Sequence, residues 1–230
     1  MRRSLMKEEG KTVDRIERIY RIALRERGRA SIILSPMQHL LLATRNPHKT
    51  REFSELLGKD FRLTDLSAHP ELPEIREIGR TFEENARLKA IGVSRDWTGL
   101  VLADDSGLEV DSLGGAPGVF SARYAGEMAS DRDNRRKLLL VLAELPAGIA
   151  RSARFQCVLA LARAGELIET FHGTVTGEIV SAERGADGFG YDSLFQPDGF
   201  EKTFAELSAK EKNAMSHRGA AIARLRGFLS

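Results

Sequence analysis

Apolar and polar positions change period several times along the chain, and each change marks an element. His39 to Thr44 (HLLLAT) is a continuous apolar run of strand length, closed by Arg45-Asn46-Pro47. Behind it, Phe53, Leu56 and Leu57 recur at helical spacing and predict a helix over about Lys49 to Leu57. Strand, tight polar loop and helix in that order turn loop amides and a helix N-terminus toward one pocket. Phe61 to Leu66 reads as a second strand, and residues 67–80 as a loop ending in ELPEIREIG. Thr81 and Glu84 have the Thr-x-x-Glu spacing of a capping box, opening a helix through about Ser94. Val101, Leu102 and Ala103 read as a short buried strand that delivers Asp104 and Asp105, with Ser106 and Gly107 expected to break it.

The second half of the chain alternates instead. Ser130 with Asp133 opens a helix that runs to about Leu145 and is stopped by Pro146. From Ser152 to Arg163, Phe155, Cys157, Leu159 and Leu161 take one face while Val158, Ala160 and Ala162 make the other apolar too, the pattern of a central strand covered on both sides. Gly165 permits a turn into Leu167 to Gly173, and Thr174 to Val180 extends the antiparallel arrangement. Ser208 with Glu211 forms another capping box, and Ser216 caps a last helix with an apolar face of Ala220, Ile222, Leu225 and Leu229. Upstream, Val13, Ile16, Tyr20, Ala23 and Leu24 predict an amphipathic helix over residues 11–27.

Composition narrows the class. At 230 residues, 42% hydrophobic and 30% charged, the chain can bury a core, and its 21 glycines punctuate a globular α/β fold. A single cysteine, Cys157, excludes an intrachain disulfide and reads as a small buried hydrophobe. The net charge of +2 is uneven: residues 1–30 hold ten Lys/Arg against five acids, a net +5, so residues 31–230 sum to −3. The basic balance therefore belongs to the leader, and no stable nucleic-acid partner is expected of the rest. Residues 1–37 are read as a basic extension, helical or disordered, and 38–230 as one catalytic domain. No apolar run is long enough for a membrane span or a secretory signal, which predicts a cytoplasmic location.

Candidate chemistry gathers at three places. Ser216-His217-Arg218-Gly219 puts basic side chains at a helix N-terminus, against the macrodipole, a conflict that an anion would remove. Lys212 and Lys49 are further cations, and with the TRNPHK loop they point to a polyphosphate ligand. Glu77, Asp104 and Asp105 are hard oxygen ligands suited to Mg²⁺. Successive strand residues face opposite ways, so one of Asp104 and Asp105 faces the metal and the other supports the turn; the residues alone leave the choice open. Asn46 and Thr44 suit either phosphate binding or loop ordering. Phe189 and Tyr191 flank Gly190 as a surface for a base, with Asp192 either accepting from ring nitrogens or ordering the loop. There is no Walker loop, dinucleotide fingerprint, zinc spacing or nucleophile elbow.

Five ordered blocks, LLATRNPHKTREFSELL, TFEENARLKA, LADDSGLEVDSLGGAPGVFSARYAG, GFGYDSLF and LSAKEKNAMSHRGAA, resemble the inosine triphosphate pyrophosphatase family, the Ham1-like or RdgB-like non-canonical purine nucleoside triphosphatases. The resemblance covers about Leu40 to Leu229. It implies an elongated mixed sheet with flanking helices, two lobes around a nucleotide cleft, a homodimer, and Mg²⁺-dependent hydrolysis of ITP, dITP and XTP to the monophosphate and pyrophosphate, a house-cleaning role. It assigns Thr44, Arg45, Asn46, Pro47, His48 and Lys49 to phosphate binding. It makes Glu77 and Asp105 the metal ligands, Asp105 also the catalytic residue that activates water, and Asp104 a support. Ser106 becomes a substrate contact, Phe189, Gly190, Tyr191 and Asp192 the base segment, and Lys212, His217 and Arg218 the nucleotide-binding cations, with Lys89 facing the cleft. Arg45 and His48 stand where the family commonly has glycine. The rival readings are a Maf-like pyrophosphatase acting on pyrimidine or modified nucleotides, and a non-catalytic nucleotide- or RNA-binding protein.

Overall fold

The computed structural model describes residues 38–229, so the helix expected over residues 11–27 lies outside the described residues. Six strands form one sheet in the order β2-β1-β3-β4-β5-β6. They are β1 (Gln38–Leu42), β2 (Phe61–Asp65), β3 (Leu100–Val110), β4 (Ser152–Arg163), β5 (Glu166–Ile179) and β6 (Phe195–Pro197). β1 runs parallel to β2 and β3, and every later pair is antiparallel. Among the described residues, five α-helices flank the sheet: α1 (Pro47–Leu57), α2 (Phe82–Ser94), α3 (Asp131–Ala143), α4 (Ala209–Met215) and α5 (His217–Leu229). None of the helices described is long and apolar enough to cross a membrane.

Strand alternation sorts the core into two faces and an outer half. Leu40, Leu42, Leu102, Cys157, Leu159 and Leu161 pack against Phe53 and Leu57 of α1 and Ile222 and Leu225 of α5. Leu41, Val101, Ala103, Val158, Ala160 and Ala162 pack on the opposite face against Ala86, Ala90 and Val93 of α2. Both faces of β1 and β4 are thus covered, as their unbroken apolar runs require. Beyond this region β3, β4 and β5 continue into a third cluster, where Leu108, Phe155 and Ile179 meet Phe195, Phe204 and Leu138 of α3.

Four expectations change. β3 does not break at Ser106-Gly107: each residue from Val101 to Val110 has a partner on β4, with Ser106 opposite Cys157 and Gly107 opposite Gln156. Glycine at 107 marks a close approach and not a chain break, since a Cβ there would collide with Ser121 Oγ and the Gly118 carbonyl. β5 is likewise one strand of 14 residues, and Gly173 lies inside its ladder because a Cβ would strike the His217 carbonyl oxygen at the start of α5. α5 turns Ala221 inward in place of Ala220, with Ile222, Leu225 and Leu229 as expected. The capping boxes at Ser130/Asp133 and Ser208/Glu211 close reciprocally. At Thr81 only half forms: its hydroxyl accepts from the Glu84 amide at 3.1 Å, while Glu84 Oε2 accepts from the Arg80 amide at 2.6 Å.

Pairing between β1 and β3 ends at Leu42 and Leu102, whereas β3 runs on for eight residues. The edge of β3 from Asp104 onward is therefore released from β1 where the chain turns into α1. That gap positions the polar centre.

Candidate active site

Asp104 and Asp105 leave the unbroken β3 on opposite faces of the sheet. Asp104 points to the α1/α5 face, where Lys49 Nζ lies 2.6 Å from its Oδ2 and Arg218 3.6 Å. Ser106 Oγ donates to the same oxygen at 3.1 Å, and the Cys157 thiol donates to Oδ1 at 3.1 Å. Burial opposes the Asp104 charge, but Lys49 and Arg218 hold its carboxyl far below the usual carboxylate range. Burial, and then Asp104, push the Cys157 thiol well above its ordinary value, so it stays a protonated donor.

Asp105 points to the α2 face. Lys89 Nζ donates to Asp105 Oδ1 at 2.9 Å, to Glu77 Oε1 at 2.6 Å and to the Asp104 carbonyl at 2.7 Å, tying α2, β3 and the 66–80 segment together. Burial pushes the Asp105 carboxyl up to about 6, against the pull of Lys89 and with the nearby Glu77 carboxylate adding to the rise. Its Oδ2 is buried without a hydrogen-bond partner. Burial also works against the Glu77 charge, yet Lys89 brings that carboxyl below its usual value. Among the described residues no three His, Cys, Asp or Glu side chains converge on one metal position. Glu77 and Asp105 instead share the Lys89 ammonium, and Asp105 keeps a spare buried oxygen; hard carboxylate oxygens of this kind fit Mg²⁺, which is bound through one or two carboxylates together with phosphate and water.

The 189–192 segment and the C-terminal cations meet on the Asp104 side. Lys212 Nζ bridges Asp192 Oδ2 at 2.7 Å and Glu52 Oε1 at 2.6 Å, and Arg218 donates to Glu52 Oε2 at 2.9 Å and to Ser106 Oγ at 2.6 Å. Burial opposes both charges, but Asp192 and Glu52 hold Lys212 ionised, and Asp104 and Glu52 hold Arg218 so. Lys212 and Arg218 each lie 5.2 Å from the centre of the Phe189 ring, and His48 stacks on that ring at 5.4 Å with 22° between planes. Asp192 also accepts from the Phe189 amide at 2.8 Å, so of the two uses its position allowed, loop ordering is the one its contacts serve.

Two cavities join at this centre, and Asn46, Lys49 and Ala122 line both. One of about 930 Å³ runs along Glu77, Lys89 and Arg123. The other, a slot of about 110 Å³, is bounded by Ser106, Phe155, Phe189 and His217.

Not every expected residue faces them in the expected role. Asn46 caps α1, its Oδ1 accepting from the His48 and Lys49 amides, and Pro47 takes the first helical position; Thr44 Oγ1 accepts from the Asn46 amide. Arg45 lines the larger cavity but commits its guanidinium to the carbonyls of Leu66 at 2.6 Å and Leu72 at 3.3 Å. It clamps a loop that glycine could not. Arg45→Ala is expected to lower stability by about 0.5–1.5 kcal/mol for each bond lost, read as a lower urea midpoint at unchanged m. His217 is not a cation: it is buried, it stacks on Phe155 at 4.8 Å, and burial followed by the adjacent Arg218 pushes its pKa well below the ordinary histidine value. Tyr191 lines the slot but is largely buried, with its hydroxyl donating to the Ser121 carbonyl at 2.9 Å. Two residues were missed. Glu52, three positions after Lys49 on α1, joins Lys212 to Arg218, and Arg123 reaches Glu77 Oε2 at 3.3 Å.

Fold and centre together define an α/β protein with a charge-matched cleft where the parallel and antiparallel parts of one sheet meet. The chain belongs to the Ham1 family, whose model matches residues 40–228. It is 49% identical to a dITP/XTP pyrophosphatase of Geobacter sulfurreducens over 84% of this chain and 97% of that protein. A Bacillus cereus protein of the same name is 46% identical over 84% of this chain and 95% of its own length. Among solved structures, a HAM1 protein from Coxiella burnetii superposes with a TM-score of 0.76 and the Staphylococcus aureus Ham1 protein with 0.73, each 40% identical and covering 84% of this chain and 98% of the other.

Proposed function

We propose that this chain hydrolyses non-canonical purine nucleoside triphosphates, among them dITP, ITP and XTP, to the monophosphate and pyrophosphate. The observation that carries the reading is the pair of cavities meeting at Lys49, one lined by acids and Lys89 and the other by the Phe155 and Phe189 rings and Arg218, in a chain so close to relatives named dITP/XTP pyrophosphatase. The larger cavity takes the phosphates and the slot takes the base.

Asp105 is the proton acceptor for the attacking water: its carboxyl, raised to about 6, has the basicity of a general base near neutral pH, and its Oδ2 is free to accept. Lys49 and Lys89, which line the larger cavity, orient the phosphates and offset their charge. Glu77 and Asp105 would hold Mg²⁺, which when bound supplies further charge neutralisation at the phosphate oxygens. Asp104 acts indirectly by fixing Lys49, Ser106 and Arg218.

Base choice follows from hydrogen-bonding sense. Arg218 Nε is buried without a partner at the slot, and a guanidinium only donates. A 6-keto purine offers it an acceptor; the 6-amino group of adenine offers a second donor and leaves both groups unsatisfied. That mismatch costs about 1–3 kcal/mol, or roughly 5- to 150-fold. Pyrophosphate release with Mg²⁺ is expected to be at least about tenfold faster in kcat/KM for ITP, dITP and XTP than for ATP. Equal rates would remove the purine-selective reading, a preference for dTTP or UTP would favour the Maf-like rival, and no release from any nucleotide would leave a binding protein.

The same reading includes a homodimer in the cytoplasm, with residues 38–230 as its single catalytic domain and 1–37 as a basic extension. Sedimentation at micromolar concentration tests the dimer.

A further inference from the structure

Gly190 lies between the two aromatics of the base segment, and both polar atoms of its backbone are held by α3. Asp131 Oδ2 accepts from the Gly190 amide at 2.7 Å, and Arg135 donates from one terminal nitrogen to the Gly190 carbonyl at 2.9 Å. The two side chains are four residues apart on α3, hence on one face of the helix. Arg135 is itself braced, its Nε donating to Glu183 Oε2 at 2.8 Å, and Ser193 Oγ donates to that same oxygen at 3.1 Å. α3 also holds the facing wall of the slot, since Asn134 accepts from the Ala125 amide at 2.8 Å and donates to the Ala122 carbonyl at 3.1 Å.

From this arrangement we infer that Arg135 is a positioning residue for nucleotide binding. It fixes the Gly190 peptide, and through it the Phe189 ring that walls the slot, without touching the base or the phosphates. Resting on the proposed function, this makes α3 the element that sets the width of the slot. Loss of the bond leaves the Gly190 carbonyl free to rotate and the ring free to leave its place beside His48, Lys212 and Arg218. Glu77 and Lys89 line the other cavity, and Lys89 keeps its own bonds there to Glu77 and Asp105. The effect belongs to binding.

The test compares wild type with Arg135→Ala in pyrophosphate release from ITP, alongside hydrogen exchange of the 186–194 segment. One hydrogen bond lost from a preorganised wall corresponds to a rise in KM of about three- to tenfold, with kcat within about twofold. Exchange is expected to speed up in 186–194 and to stay unchanged in β3 and β4. An unchanged KM, a fall in kcat alone, or faster exchange throughout the sheet would each overturn the inference, the last because it marks a merely structural residue. Should wild type release no pyrophosphate from any nucleotide, the proposed function fails by itself, and exchange confined to 186–194 on Arg135→Ala, compared with and without IMP, still decides whether Arg135 holds the loop for a purine nucleotide: protection by IMP in wild type but not in the variant supports it, and equal protection overturns it.

Discussion

Asp105→Asn is expected to lower kcat for ITP hydrolysis by about 10²- to 10⁴-fold, the contribution of a positioned general base, while the protein stays folded. The amide keeps an acceptor for Lys89 but cannot take a proton at neutral pH. The stability side follows from the sign of the shift. A carboxyl raised to about 6 contributes stability below the ordinary carboxylate range and loses it as pH rises through 6, because the buried ionised form is disfavoured. Above pH 7 the neutral amide removes that penalty, so the melting temperature of Asp105→Asn at pH 8 is expected to equal or exceed that of wild type. Near-normal pyrophosphate release from the variant would refute the assignment, and a sharply lower melting temperature would show that lost activity reflects unfolding.

Glu52→Ala is expected to be the most damaging change outside the chemical centre. Glu52 gives one oxygen to Lys212 and the other to Arg218, both cations being no more than 6% exposed. Lys212 keeps Asp192 and Arg218 keeps Asp104 at a longer 3.6 Å, but a shared buried anion is gone. Removing one partner from a buried ion pair costs about 3–5 kcal/mol, which lowers the melting temperature of a chain this size by roughly 6–20 °C. Burial opposes the Glu52 charge, yet Arg218 and Lys212 depress its carboxyl below the usual value. A depressed carboxyl stabilises the fold above its unfolded pKa and loses that contribution as pH falls through its folded pKa. The gap between wild type and variant should therefore be widest near pH 7 and narrow in acid, which urea titrations at pH 7 and pH 3 would show; a constant gap would mean that the carboxylate charge is not what holds the two cations.

What could be read from the sequence follows from how local each cause is. The two apolar faces of β4, the caps at Ser130 and Ser208 and the helix after Asn46 depend on residues a few positions apart, and they fall where the spacing predicts them. The continuity of β3 through Ser106 and Gly107 depends on ten partners some fifty residues away on β4, which no local window contains. Glu52 is one acid on a polar helix face, identical in pattern to a solvated glutamate until α4 and α5 close over it. Arg45 is expected at the phosphates and His217 as a cation, but the carbonyls of Leu66 and Leu72 that take Arg45 and the Phe155 ring over the buried His217 lie far off in sequence, where no local pattern shows them. The opposite facing of Asp104 and Asp105, by contrast, needs nothing beyond strand geometry.

The released edge of β3 also bears on solubility. Strand edges with free carbonyls and amides invite other chains to add on, and proteins blunt them with lysine and with covering loops. Here Lys89 occupies the Asp104 carbonyl, Ser121 Oγ takes both backbone groups of Leu108, and the Ala116 carbonyl accepts from the Val110 amide. The gap that opens room for a substrate is thus guarded against intermolecular strand pairing by a lysine of the site itself. Conditions that strip Lys89 from this edge should promote aggregation as well as loss of turnover.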